Sequence, residues 1–116
     1  MVPEQLRKKR TVLVVEDYED TRLLNVTCLS DAGFTVVAAN SGADAVAIAT
    51  SHGVDAIVLD LQMPGMDGYQ AVRHIRASTG AAPYILVVSA YDGPESRREA
   101  LVGGANDFLG NRSILT

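Results

Sequence analysis

Three carboxylates and a hydroxyl stand where apolar runs stop. Thr11-Val12-Leu13-Val14-Val15 is followed at once by Glu16 and Asp17, Ala56-Ile57-Val58-Leu59 ends in Asp60, and Tyr84-Ile85-Leu86-Val87-Val88 ends in Ser89. A carboxylate at the exit of a buried strand is either a structural cap or a reactive group. If the first and third runs are neighbouring strands, about 4.8 Å apart, their terminal carboxylates repel, which raises a pKa or recruits a cation. Mg²⁺ suits such a place: it accepts one or two carboxylates, a carbonyl and several waters, and leaves room for phosphate oxygens. The chemistry these residues suggest is phosphate handling through a metal.

The elements that must position these groups alternate along the chain. Strand-like runs are read at 11–15, 34–38, 55–60, 84–88 and, shorter, from Asn106 to Leu109. Helical stretches fall near 18–31 and 42–51, from about Asp67, and after Pro94. Apolar strands joined by helical crossovers predict a doubly wound α/β fold with a parallel sheet covered on both faces. In such sheets ligands bind beyond the carboxyl ends of the strands, where the acids and Ser89 lie.

Local signals support the helices. Ser41 with Asp44 resembles a capping box, and Ala43, Val46, Ala47 and Thr50 are expected to face the sheet behind it. Asp67 is expected to cap the third helix, whose stripe is Ala71, Val72 and Ile75, with Arg73, His74 and Arg76 pointing elsewhere. In the first helix Thr21, Leu24, Cys28 and Ala32 share a face, and Gly33 stops it. Pro94 opens the fourth helix and Gly103-Gly104 closes it.

With 116 residues the chain has room for one core. Net charge −4 gives no general pull toward nucleic acid, and the basic run Arg7-Lys8-Lys9-Arg10 has no interleaved aromatics, so it reads as a solvated arm. One cysteine, Cys28, excludes an intrachain disulfide and fits a reducing compartment. No apolar run reaches the roughly 20 residues of a membrane span, and the leader lacks a signal-peptide core, so a cytoplasmic protein without direct membrane contact is expected.

The ordered set of motifs resembles the receiver domain of two-component response regulators over residues 11–109. Glu16-Asp17 matches the acidic pair, Asp60 the phosphoacceptor, Met63-Pro64-Gly65-Met66-Asp67-Gly68 the loop behind it, and Ser89-Ala90 and Gly104-Ala105-Asn106-Asp107-Phe108-Leu109 the later motifs. The resemblance implies a flavodoxin-like five-stranded parallel sheet of order 2-1-3-4-5, with residues 1–10 a polar leader and 11–116 the receiver domain. It also implies phosphoryl transfer from a histidine kinase or phosphotransfer protein to Asp60, and a downstream protein target. Mg²⁺ would be held by Asp17, Asp60 and the backbone carbonyl of Gln62, with Glu16 directly or through water. Ser89 would then bond the phosphoryl group while Phe108 changes rotamer, and the small Ala90 would leave an opening. The expected role is a signalling phosphoacceptor rather than an enzyme.

The chain departs from the family twice. Asn111 stands where a lysine is usual and Arg112 where a proline follows it. An amide carries no charge, so a cation facing the phosphoryl group is lost, an interaction of about 4 kcal/mol at 4 Å and effective dielectric 20 before desolvation. Only residues 112–116 follow, so the family's fifth helix is expected to be missing, leaving an apolar face open to a second copy or another chain. A shortened or excised chain is the plainer explanation. These departures favour an alternative, a pseudo-receiver that binds partners without responding to phosphate.

The sharper readings stand beside plain ones. Glu16 or Asp17 could simply cap the first helix, and Ser89 could be structural. His74 and His52 are read as solvated rather than phosphodonors, and Cys28 as core. A flavin carrier is excluded because Glu16-Asp17 would repel its phosphate. A phosphatase is excluded because Gln62 replaces the second acid that turnover needs.

Overall fold

The computed structural model describes residues 10–61, 68–89 and 93–110. Its elements run β1 (Thr11–Val15), α1 (Glu19–Asp31), β2 (Thr35–Ala39), α2 (Gly42–His52), β3 (Ala56–Asp60), α3 (Gly68–Thr79), β4 (Tyr84–Val88), α4 (Pro94–Gly103) and β5 (Asp107–Leu109). The strands form one parallel sheet in the order β2-β1-β3-β4-β5. Four helices connect them among the described residues. The order reverses beside β1, so β1 and β3 present their carboxyl ends side by side.

Strand limits differ from the sequence reading by a residue where a backbone group has another task. Phe34 N donates to Leu29 O at 3.2 Å and Gly33 N to Ser30 O at 3.0 Å, a Schellman closure of α1 that delays β2 to Thr35. Gly33, at φ 103°, supplies the left-handed turn this closure requires.

One sheet face is sealed. Leu13, Val15, Ile57, Leu59, Ile85, Val87 and Phe108 pack with Ala45, Ala49, Ala71, Val72, Ile75 and Ala100 from α2, α3 and α4. The stripe expected on α3 is therefore confirmed. On the opposite face, Val58 and Leu86 are only half-buried and Tyr84 is 49% exposed, whereas their chain neighbours Ile57 and Ile85 are 0% exposed. β3 and β4 thus alternate in burial over these positions, whereas β1, with Val12 at 4% and Val14 at 0% exposure, is covered on both faces.

Two helix faces differ from expectation. On α2, Ala43, Ala47 and Thr50 are exposed, while Gly42, Ala45 and Ala49 are buried. With alanine at 43, 45, 47 and 49 the apolar pattern reads alike after a small rotation, and packing of α2 against α3 selects the phase. The Ser41 cap itself is present, its Oγ accepting from Asp44 N at 3.2 Å. On α1 no residue is fully buried: Thr21 and Cys28 are half-buried, Leu24 is 50% exposed and Ala32 is exposed. Cys28 is therefore at the edge of the packed region rather than in the core.

Candidate functional site

Val15 pairs with Leu59 in the parallel ladder, so Glu16 and Asp60, each one residue further, extend adjacent strands side by side. Both are buried, at 3% and 6% exposure. They line one cavity with Val15, Thr21, Asn25, Val58 and Val88. Val88 pairs with Asp60, and Ser89, 1% exposed, continues β4 beside it, its N–H donating to Leu109 O at 3.0 Å. The strand ends thus bring Glu16, Asp60 and Ser89 to one edge of the sheet.

Asp17 is exposed and does not line this cavity. Its carboxylate does not cap α1 either: the N-cap is Tyr18, which makes no side-chain cap bond. The capping explanation for the acidic pair therefore fails for α1, and Asp17 remains at the surface beside the buried pair. Among the described residues no three His, Cys, Asp or Glu side chains converge as a metal cluster. Two buried carboxylates facing one cavity from neighbouring strands are nevertheless a hard-oxygen donor set of the kind Mg²⁺ selects.

The backbone around the acids is held from several sides. Glu16 N donates to Ala39 O at 3.0 Å, and Arg22 Nη1 donates to Glu16 O at 3.0 Å and to Asp17 O at 3.3 Å. Beyond β3, Leu61 N donates to Val88 O at 3.3 Å, and Gly68 N donates to Leu61 O at 2.8 Å. A Cβ on Gly68 would lie 2.3 Å from Leu61 Cα, so glycine is required for α3 to begin against the end of β3. The loop between them, with Gln62 and the expected cap Asp67, lies outside the described residues, as do Ala90, Asn111 and Arg112.

A second network fixes β5. Asn106 Oδ1 accepts from Ile85 N at 2.8 Å and from Arg76 Nη2 at 2.9 Å. Arg76 also donates to Gly104 O at 3.0 Å, Gly80 O at 2.8 Å and Pro83 O at 2.9 Å. The sequence reading turned Arg76 away from the packed side of α3; it is instead half-buried, because these carbonyls gather where α3, β4 and β5 meet. Burial lowers its pKa from the ordinary guanidinium value. Phe108, 3% exposed, packs in the core, and Arg97 Nη1 donates to its carbonyl at 3.2 Å. His74 and His52 are exposed, as expected. Sequence reasoning missed Arg22 and Asn25 at the site; Thr21 and Asn25, four residues apart on α1, carried the only signal.

A family model of the response regulator receiver domain matches residues 12–112. The chain is 37% identical over 99 residues to a cyclic di-GMP phosphodiesterase of Thermotoga maritima, covering 85% of this chain and 26% of that protein. It spans less than half the length of the curated relatives it matches. It is 32% identical to the receiver domain of the sensor histidine kinase PA1611 of Pseudomonas aeruginosa, solved with a magnesium ion coordinated in the active-site cleft; the TM-score is 0.79, covering 88% and 84% of the two chains. It is 28% identical, with TM-score 0.80 and coverage of 87% and 77%, to the receiver domain of the response regulator Ssk1 of Saccharomyces cerevisiae, solved with the histidine phosphotransfer protein Ypd1.

Proposed function

This chain belongs to the response regulator receiver domain family, and from that premise we propose that Asp60 accepts a phosphoryl group from a histidine kinase or phosphotransfer protein. Receiver domains are signalling modules of two-component systems. The observation that carries the reading is the pairing of two buried carboxylates, Glu16 and Asp60, on one cavity at neighbouring strand ends.

In this reading an Asp60 carboxylate oxygen attacks phosphorus as the phosphohistidine P–N bond breaks and the freed imidazole takes up a proton. An acyl phosphate remains on Asp60. Glu16, Asp17, Asp60 and the Gln62 carbonyl would hold Mg²⁺, which supplies neutralising charge to the transferring group. Ser89 Oγ donates to a phosphoryl oxygen and moves inward with it, and Phe108, gripped through its carbonyl by Arg97, repacks behind it. Turnover beyond slow self-hydrolysis is not expected, since no second acid follows two residues after Asp60.

The change is read out by a downstream protein. We also propose self-association through the sheet face on which Tyr84 is 49% and Leu109 38% exposed. Light scattering that finds monomers alone at high concentration rejects that contact.

Asn111, the neutral amide at the lysine position, favours a second reading, a pseudo-receiver that binds partners without phosphorylation. Intact mass after incubation with acetyl phosphate and Mg²⁺ separates the two. One added phosphoryl group, absent in Asp60→Asn, supports the phosphoacceptor; no adduct after long incubation supports the pseudo-receiver.

A further inference from the structure

We propose that Arg22 is a positioning residue for the acidic pair, and that the divalent-cation affinity of the site depends on it. The inference rests on the reading of Glu16, Asp17 and Asp60 as cation ligands. Arg22 lies in the first turn of α1, and its Nη1 donates to the main-chain carbonyls of both Glu16 and Asp17, at 3.0 and 3.3 Å. These are the two residues whose side chains must present oxygen to the ion. Fixing consecutive carbonyls fixes the turn of the backbone and with it the direction in which each Cβ leaves the chain.

Arg22 holds this turn together with the Glu16 N to Ala39 O bond and the first turn of α1. Tyr18, the N-cap of α1, makes no side-chain cap bond at the helix entrance. Glu16 N is tied to Ala39 O on the β2 side, and the Asp17 carbonyl is held by Arg22, whose own N–H donates to Tyr18 O at 2.9 Å at the α1 start. Asp17 is the exposed member that must turn toward the buried pair when the ion enters, so a wandering carbonyl there costs the most.

Charge and geometry make opposite demands, and this makes the proposal testable. A guanidinium near the acids repels an entering cation, so removal of a mere charge would tighten binding. Removal of a clamp would loosen it, and groups that orient metal ligands from behind typically contribute 10- to 100-fold in affinity. The exposure of Asp17 places the expected effect at the lower end, about tenfold.

The experiment is a calorimetric Mg²⁺ titration of the wild-type chain, Arg22→Ala, Arg22→Gln and Arg22→Lys, with thermal unfolding of each as the folding control. The expected result is about tenfold weaker binding in Arg22→Ala, with Arg22→Lys recovering most of the loss because an ammonium can also donate to two carbonyls. Acetyl phosphate labelling of Arg22→Ala should need more Mg²⁺ for half-maximal rate yet reach the wild-type rate at saturation, which a loss of stability alone would not produce. If Arg22→Ala does not fold, Arg22→Gln, which keeps the aliphatic stem but is too short for its neutral amide to reach as the guanidinium does, takes its place. Unchanged or tighter Mg²⁺ binding in the folded variant overturns the positioning role while leaving the site intact. A wild-type chain that takes up no Mg²⁺ overturns the site itself and this inference with it.

Discussion

The side-chain oxygen of Asn106 bridges Ile85 N, at 2.8 Å, and the Arg76 guanidinium, at 2.9 Å. Through this one atom the strand that carries Phe108 is pinned to the strand that leads to Ser89, and both to the end of α3. Asn106→Ala would strand the amide of Ile85, a residue with 0% exposure. An unsatisfied buried donor costs about 1–3 kcal/mol. Urea unfolding should show a lower midpoint with an unchanged slope; an unchanged midpoint would mean that the Arg76 and Asn106 network is ornamental.

Gly68→Ala should also destabilise, against the ordinary preference of a helix for alanine over glycine by roughly 0.5–1 kcal/mol. The new Cβ would meet the Leu61 backbone at 2.3 Å, and relief requires moving the end of β3 from which the Asp60 loop departs. Overpacking of this kind costs about 1–3 kcal/mol. The variant should unfold at lower denaturant and label more slowly with acetyl phosphate. A Gly68→Ala chain as stable as wild type would show that the contact relaxes freely.

On the proposed reading, in which Asn111 takes the family's lysine position, Asn111→Lys should add a cation facing the phosphoryl group. The ideal attraction, about 4 kcal/mol at 4 Å and effective dielectric 20, is reduced by desolvation, so the gain should be a fraction of it. The thermal shift on loading with beryllofluoride, which stands in for the phosphoryl group, should be larger in the variant than in wild type. Equal shifts would mean that the missing charge is supplied by another residue.

Much of this architecture was legible in the sequence because uninterrupted apolar runs end abruptly in polar oxygen, as at Val15 to Glu16 and Leu59 to Asp60. Parallel pairing then fixes those ends side by side with no further information. The phase of α2 was not legible, since alternating alanines offer the sheet several equivalent faces. Arg76 and Arg22 were missed for a different reason: their partners are chiefly main-chain carbonyls, which every residue has and no motif records. For Arg76, Gly104 and Asn106 also lie 28 and 30 residues away along the chain. The expected inward face of α1 failed in phase: the half-buried stripe runs through Arg22, Asn25, Val26 and Leu29, which turns Leu24 and Ala32 outward.

The central claim is that one carboxylate, Asp60, carries the phosphoryl group, and reductive trapping tests it most directly. Borohydride converts an aspartyl phosphate to homoserine, so peptide mass mapping after acetyl phosphate and Mg²⁺ reads the acceptor by position. The account requires homoserine at residue 60, dependent on both phosphodonor and metal. Homoserine at Asp17, or none anywhere under conditions that label an active receiver domain, would contradict it.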